Sequence, residues 1–285
     1  MRCRCGGEAV TYLRYLRRPL CGSCFTRYYL SSVERAIKKY GILRRSEKVL
    51  AAVSGGKDSA AMSFALKKLG YDFEMLFIDL GIPEYSKACQ RAVERLSERI
   101  DVNLNVVELK DYGFTIARVS AKTCSACGVA KRYIMNTFAR QRFDVIATGH
   151  TAEDLTSFFL KNVAGGMHEW AEKLKPRNEP FDAKIVARAK PIFAMSEREN
   201  LVLTIVNDVP FEAAECPYAP EPEWKEIVYE IERRKPGFAK NFVRGLASEA
   251  KGFGEVRYCR MCGEVASGEL CAFCKLRLRL TSGRS

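Results

Sequence analysis

An apolar strand that runs straight into a paired-glycine turn and then a helix constrains this chain more than any other feature. Residues 48–53, from Lys48 to Val53, read as a buried strand. Ser54-Gly55-Gly56-Lys57-Asp58-Ser59 follows without a spacer, and Ala60 to Leu66 continues as a helix. Paired glycines let backbone amides approach anionic oxygens, and the helix N-terminus favours the same charge. Lys57 and the hydroxyls of Ser54 and Ser59 add donors. The pattern is not G-x4-G-K-[ST], because it has one spacer fewer and Asp58 follows the lysine. The alternation then continues. Phe73 to Asp79 is a second strand ending in an acid, 84–100 an amphipathic helix, and 104–109 a third strand. Phe143 to His150 is a fourth, with a helix from about Ala152. This rhythm predicts an α/β fold, a parallel sheet with helices on both faces. Ligands of such sheets sit beyond the strand C-termini, which gathers Ser54–Ser59, Asp79 and Gly149–Asp154 around one pocket. Glu153 and Asp154 are either residues favoured by the helix dipole or candidate Mg²⁺ and base groups. His150, one of two histidines, reads as structural more readily than catalytic.

Twelve cysteines fall into groups. Cys259, Cys262, Cys271 and Cys274 form two C-x2-C knuckles, the first followed by Gly263. Four thiolates at that spacing suit a closed tetrahedral zinc site. Cys3, Cys5, Cys21 and Cys24 form a second candidate zinc group, in which the first pair is C-x-C and Gly6-Gly7 eases the bend. Paired disulfides are the alternative reading. Metal binding would supply folding energy to segments too small to bury a core of their own. Cys89, in a helical pattern, reads as a buried structural thiol.

Cys124, Cys127 and Lys131 lie one helical face apart, at i, i+3 and i+7. A helix N-terminus with Lys131 and Arg132 nearby would lower the pKa of these thiols. Cys216 stands far off in Glu215-Cys216-Pro217-Tyr218. A redox pair, a third zinc site and an iron–sulfur cluster with three protein ligands are all compatible with the spacing.

Net charge is +13 over 285 residues, and the excess sits at the ends. Residues 1–50 hold 12 Lys/Arg against 3 Asp/Glu, residues 251–285 hold 7 against 3, and the middle is balanced at 28 each. Basic ends on a neutral body fit a polyanionic partner. In Tyr12-Leu13-Arg14-Tyr15-Leu16-Arg17-Arg18 aromatics interleave with the charge, the mixture that stacks on bases and contacts phosphates. Glutamine occurs only at Gln90 and Gln141, as suits a thermophile. No apolar run reaches the roughly 20 residues of a membrane span, and the start lacks a signal-peptide core, so a cytoplasmic location is expected.

The Ser54–Ser59 loop looks like that of the PP-loop ATP pyrophosphatases. With Cys124-Ser125-Ala126-Cys127-Gly128, Lys131-Arg132-Tyr133, Ala147-Thr148-Gly149-His150, Glu215–Tyr218, Pro236-Gly237-Phe238-Ala239-Lys240 and Cys271–Cys274, the whole chain resembles the PP-loop tRNA 2-thiouridine synthetase family. Within it, the branch acting on 5-methyluridine at tRNA position 54 is most similar. The resemblance implies an adenine nucleotide alpha hydrolase-like ATP-binding domain flanked by two zinc modules, with segments 1–30, 31–250 and 251–285. It implies an enzyme that adenylates a uridine C2 oxygen with ATP, releasing AMP and pyrophosphate, and replaces that oxygen with sulfur. A [4Fe-4S] cluster would rest on Cys124, Cys127 and Cys216. Lys131 and Asp154 would be catalytic, with Asp58 in the same machinery. Ala52, Ser54, Gly55, Gly56, Lys57, Asp58, Ser59, Asp79, Lys131 and Gly149 would contact ATP or Mg²⁺. The family further implies tRNA, a ubiquitin-like sulfur carrier with a C-terminal thiocarboxylate, and a homodimer. Two departures stand out: the C-x-C spacing at Cys3 and Cys5, and Gly149-His150-Thr151-Ala152-Glu153-Asp154 in place of a more usual Asn-x-Asp-Asp. The rivals are thiolation of wobble uridine 34, a ligase joining an amine to a base, and a non-catalytic RNA-binding zinc protein.

Overall fold

The computed structural model describes residues 1–120, 122–248, 257–263, 265–266, 268–271, 273–275 and 277–278. The chain opens with a hairpin of β1 (Thr11–Leu13) and β2 (Arg18–Leu20), then the long helix α1 (Gly22–Tyr40). The nucleotide-type alternation follows: β3 (Val49–Val53), α2 (Lys57–Lys68), β4 (Phe73–Asp79), α3 (Tyr85–Ile100), β5 (Leu104–Glu108), α4 (Thr123–Ala139), β6 (Val145–Thr148) and α5 (Ala152–Ala164). Next come α6 (His168–Glu172), β7 (Arg177–Asn178), β8 (Ala187–Ala189), α7 (Glu197–Val206), α8 (Glu223–Arg234) and α9 (Phe238–Ala247). A small hairpin of β9 (Arg257–Tyr258) and β10 (Val265–Ala266) lies in the second of two compact units, residues 1–247 and 248–285. The predicted boundary at 250/251 falls outside the described residues. Among those residues, no helix is long and apolar enough to cross a membrane.

Six strands form one sheet in the order β5-β4-β3-β6-β8-β7, parallel except for β7 at the edge. Both faces are covered, which is why β3 is apolar without alternation. Val49, Ala51 and Val53 join the core beneath α1, α2 and α3, while Leu50 packs on the opposite face with Leu76, Ile146 and the α4 residues Ala130 and Ile134. From β3 the chain moves first to β4 on one side and later to β6 on the other. The strand order therefore reverses at β3, and a crevice opens beyond its C-terminal end. The Ser54–Ser59 turn occupies that crevice.

Segment 165–183, read from sequence as loop, holds the short helix α6 and the strand β7 paired antiparallel to β8. Elements of five and two residues are too short to show a period.

Two glycines show how tightly the crevice is built. Gly55 has φ +90°, and a Cβ there would lie 2.7 Å from Cys89 Cβ and 2.8 Å from Cys89 Cα. A Cβ on Gly149 would stand 3.0 Å from the backbone of Ser59, so the β6–α5 loop rests directly on the start of α2. Gly55→Ala is expected to cost about 2–4 kcal/mol, from left-handed strain plus overpacking against backbone. The urea midpoint should fall at unchanged slope.

Candidate active site and metal centres

Ala52, Ser54, Phe77, Ile78 and Leu80, at the ends of β3 and β4, line a cleft with Tyr85 and Cys89 of α3 and Lys131 of α4. Three of the residues expected to contact ATP, Ala52, Ser54 and Lys131, thus meet in one cleft. Ser59 Oγ accepts from the Ser54 amide at 3.1 Å and donates to Gly56 O at 3.0 Å, which closes the turn. Gly56 caps α2, so the free amides at that helix start face the turn. Asp79 ends β4 and accepts from the Gly81 amide at 2.7 Å.

The other flank of the loop carries charge. Lys57 Nζ lies 3.1 Å from Asp58 Oδ2 and 3.5 Å from Glu197 Oε2. Burial alone would lower the Lys57 ammonium pKa, but Asp58 and Glu197 hold it above its usual range. Lys225 pairs with Glu197 and, at 2.7 Å, with Asp154 Oδ1. Burial pushes the Asp154 carboxyl up and Lys225 more than offsets it, leaving it below its usual value. Asp154 also closes a capping box with Thr151 at the start of α5. Lys131 and Asp154 therefore belong to the cleft side and the ion-pair side of the loop respectively. Glu197, Lys225 and Asn200, whose amide donates to Asp58 Oδ1 at 2.8 Å, were not foreseen. They lie in charged helical stretches that read locally as solvated faces.

His150 behaves as a structural residue. Burial lowers its pKa, its Nδ1 shares a 2.9 Å hydrogen bond with Thr148 Oγ1, and its ring stands edge-on to Phe158. Glu153 is buried at 4% exposure, and burial raises its carboxyl pKa to about 8. A raised carboxyl favours the fold at low pH, and that contribution fades as pH climbs from the unfolded value near 4.3 towards 8. Glu153→Gln should therefore melt with the wild type near pH 4 and progressively above it up to pH 8, as thermal denaturation at several pH values would show.

Cys124, at the start of α4, donates its thiol to Tyr218 O at 2.7 Å, which seats the Glu215–Tyr218 segment on that helix. Burial, then Cys216 and Cys127, raise the Cys124 thiol pKa, with Lys131 opposing. The lowered pKa expected from the helix start is thus corrected for Cys124: burial and two neighbouring sulfurs outweigh the ammonium. Cys216 also acts on Tyr85, which lines the cleft. Cys127 and Cys216 pack against the apolar cluster that includes the cleft residues Ile78 and Leu80. Cys89, 2% exposed and raised by burial, is the structural thiol that the sequence suggested.

Cys3, Cys5, Cys21 and Cys24 bring their sulfurs within 4.8 Å of one another, as do Cys259, Cys262, Cys271 and Cys274. Tetrahedral Zn–S bonds of 2.3 Å place sulfurs about 3.8 Å apart, so both sets fit one zinc ion each. The C-x-C pair is accommodated by a turn in which Gly6, at φ +89°, donates to Cys3 O. Gly263, at φ +75°, does the same for Cys259. Cys124, Cys127 and Cys216 do not meet that compactness. Three thiolates are soft donors of the class that zinc and iron–sulfur clusters both accept.

Tyr15 is not a surface stacking residue. It turns inward, where its hydroxyl meets Tyr28 and donates to Glu199 Oε1 at 2.6 Å. Glu199 and Lys240, 1% and 2% exposed, pair at 2.6 Å beneath it. This network also gives Pro236–Lys240 its structural purpose.

Comparison with known proteins matches residues 29–170 to a PP-loop domain. Along nearly its whole length the chain is 37% identical to the tRNA-5-methyluridine(54) 2-sulfurtransferase of Pyrococcus horikoshii, covering 96% of this chain and 93% of that protein. The chain belongs to the PP-loop tRNA 2-thiouridine synthetase family. The Thermus thermophilus protein of the same name is 36% identical over 95% of this chain and 89% of its own. Among solved structures, the U34-tRNA thiolase NcsA from Methanococcus maripaludis with its [4Fe-4S] cluster superposes with TM-score 0.74. It is 26% identical, covering 98% of this chain and 96% of that one. The matched PP-loop domain takes in the Ser54–Ser59 turn and the strands β3 to β6.

Proposed function

We propose that the protein is an ATP-dependent tRNA sulfurtransferase that replaces the C2 oxygen of 5-methyluridine 54 with sulfur. The observation that carries this reading is the adjacency of Cys124 and Cys216 to a nucleotide cleft bearing Lys131. ATP lies along the cleft with its β- and γ-phosphates on the Ser54–Ser59 turn, against the α2 N-terminus and Lys57. The uridine C2 oxygen attacks the α-phosphorus, the bond to the β-phosphate oxygen breaks, and pyrophosphate leaves. Lys131, on the cleft side, neutralises the α-phosphate as charge builds there. Asp58 and Asp154 supply the hard oxygen donors that Mg²⁺ prefers, and the ion would screen the phosphates. Sulfide-level sulfur then bonds to C2, the C2–O bond breaks, and AMP leaves with that oxygen. Cys124, Cys127 and Cys216 would hold a [4Fe-4S] cluster, which would supply iron chemistry for binding sulfur beside the cleft.

The two four-cysteine groups bind zinc and, with the basic ends, hold folded tRNA. The target nucleotide leaves its stack to reach the cleft. Sulfur arrives on a ubiquitin-like carrier thiocarboxylate, and the enzyme acts as a cytoplasmic homodimer, as the family resemblance supports. Thiolation of wobble uridine 34 is the alternative. It has the solved thiolase on its side, while the curated relatives at higher identity bear the position-54 name. A ligase would have no use for three cysteines beside the cleft. Pyrophosphate release from labelled ATP tests the first step. It should require tRNA; release that ignores tRNA, or none at all, contradicts the proposal.

A further inference from the structure

The Tyr15–Glu199–Lys240 network has a neighbour on the same turn of α7 that points the other way. Asn200 is fully buried. Its Oδ1 accepts from Tyr29 Oη at 2.6 Å, and its Nδ2 donates to Asp58 Oδ1 at 2.8 Å. The amide orientation follows from chemistry. An ionised carboxylate only accepts, so the NH2 end must face Asp58 and the carbonyl end must face the phenol. Tyr29 is itself buried, and burial followed by Glu199 raises its pKa well above the usual tyrosine range, so it stays a donor. The other Asp58 oxygen is 3.1 Å from Lys57 Nζ. The carboxylate is thus clamped between an amide and an ammonium.

We infer that Asn200 is a positioning residue for the phosphate loop, orienting the Asp58 carboxylate beside Lys57 through a Tyr29–Asn200–Asp58 relay. The inference rests on reading Ser54–Ser59 as the ATP phosphate site. A buried amide between two polar groups is costly unless every bond is made, and an apolar side chain would fill the space with less risk. A side-chain amide can accept at one end and donate at the other over this span. Tyr29 belongs to α1, whose first turn carries Cys24. The relay therefore ties the helix that opens at the N-terminal cysteine group to the first turn of α2.

The test is steady-state kinetics of tRNA-dependent pyrophosphate release by the full chain, far below each variant's melting temperature, with Lys57→Ala as control. A misplaced catalytic group costs on the order of 100-fold. Asn200→Ala should lower kcat about 30- to 100-fold while KM for ATP stays within about 3-fold, since the turn and Lys57 still bind the phosphates. Asn200→Asp should be worse, because it sets a carboxylate against Asp58. Tyr29→Phe should cost less, about 3- to 10-fold, because Nδ2 can still reach Asp58. If Asn200→Asp does not fold, the order Asn200→Ala below Tyr29→Phe below wild type carries the test. Wild-type kcat in Asn200→Ala and Tyr29→Phe, or losses that merely track melting temperature, would overturn the inference. Turnover retained by Lys57→Ala would instead overturn the reading of the loop.

Discussion

Lys57→Ala is expected to lower tRNA-dependent pyrophosphate release by about 10²- to 10³-fold, the usual result of deleting one preorganised charge from a phosphoryl-type transition state. Lys57 is the first residue of α2, so its ammonium adds to the helix N-terminus, where the proposed reaction would gather charge on the leaving pyrophosphate. Asp58 and Glu197 keep it protonated at every working pH. Its side chain is 28% exposed, and the pairs it makes are of the partly solvated kind that contribute at most about 1 kcal/mol. The variant should therefore fold normally and fail in turnover. Lys57→Arg keeps the charge but spreads it over a planar fork, and should recover only part of the rate. A Lys57→Ala protein that releases pyrophosphate at the wild-type rate removes the loop from the mechanism.

Cys216→Ala is expected to abolish thiolation while leaving tRNA-dependent pyrophosphate release. Even partners behind a metal ligand cost about 10- to 100-fold in affinity when lost, so removing one of three ligands should cost more. Protein purified without oxygen should lose its iron and visible absorption and keep about two zinc ions per chain, one for each four-cysteine group. The separation of the two activities is informative because Cys216 neighbours the cleft through Tyr85 and Cys124 but is not part of the loop. If Cys216→Ala retains sulfur transfer, the iron–sulfur assignment fails and the redox-pair reading of Cys124 and Cys127 regains ground. Loss of zinc rather than iron would point to a third zinc site.

The fold was legible where physics leaves a local mark. A strand buried on both faces must be apolar throughout, and Val49–Val53 is. A turn at φ +90° that lies directly against Cys89 needs glycine at position 55. Metal knuckles need cysteine at short fixed spacing, so both four-cysteine groups were found by counting. The cleft was legible in part, because Ala52 and Ser54 mark the C-terminal end of β3. Its second half was not. Glu197 opens α7, Lys225 lies near the start of the amphipathic α8, and nothing in Glu197-Arg198-Glu199-Asn200 says which of those side chains turns inward. Tyr15 misled for the same reason. An aromatic among arginines reads as a base-stacking surface, and only the tertiary fold places it over Glu199 and Lys240. The thiol at Cys124 was read from its helix start and the nearby Lys131 and Arg132, whereas burial, then Cys216 and Cys127, set its environment.

Nucleoside mapping of product tRNA is the most direct measurement. A transcript whose one modified nucleotide is 5-methyluridine at position 54, incubated without oxygen with reconstituted protein, ATP, Mg²⁺ and sulfide, should gain one sulfur, located by mass spectrometry of nuclease fragments at C2 of nucleotide 54. Sulfur at position 34 would replace the substrate with the wobble uridine and keep the chemistry. A transcript that comes back without sulfur, from protein shown to hold iron and zinc, would contradict the account as a whole.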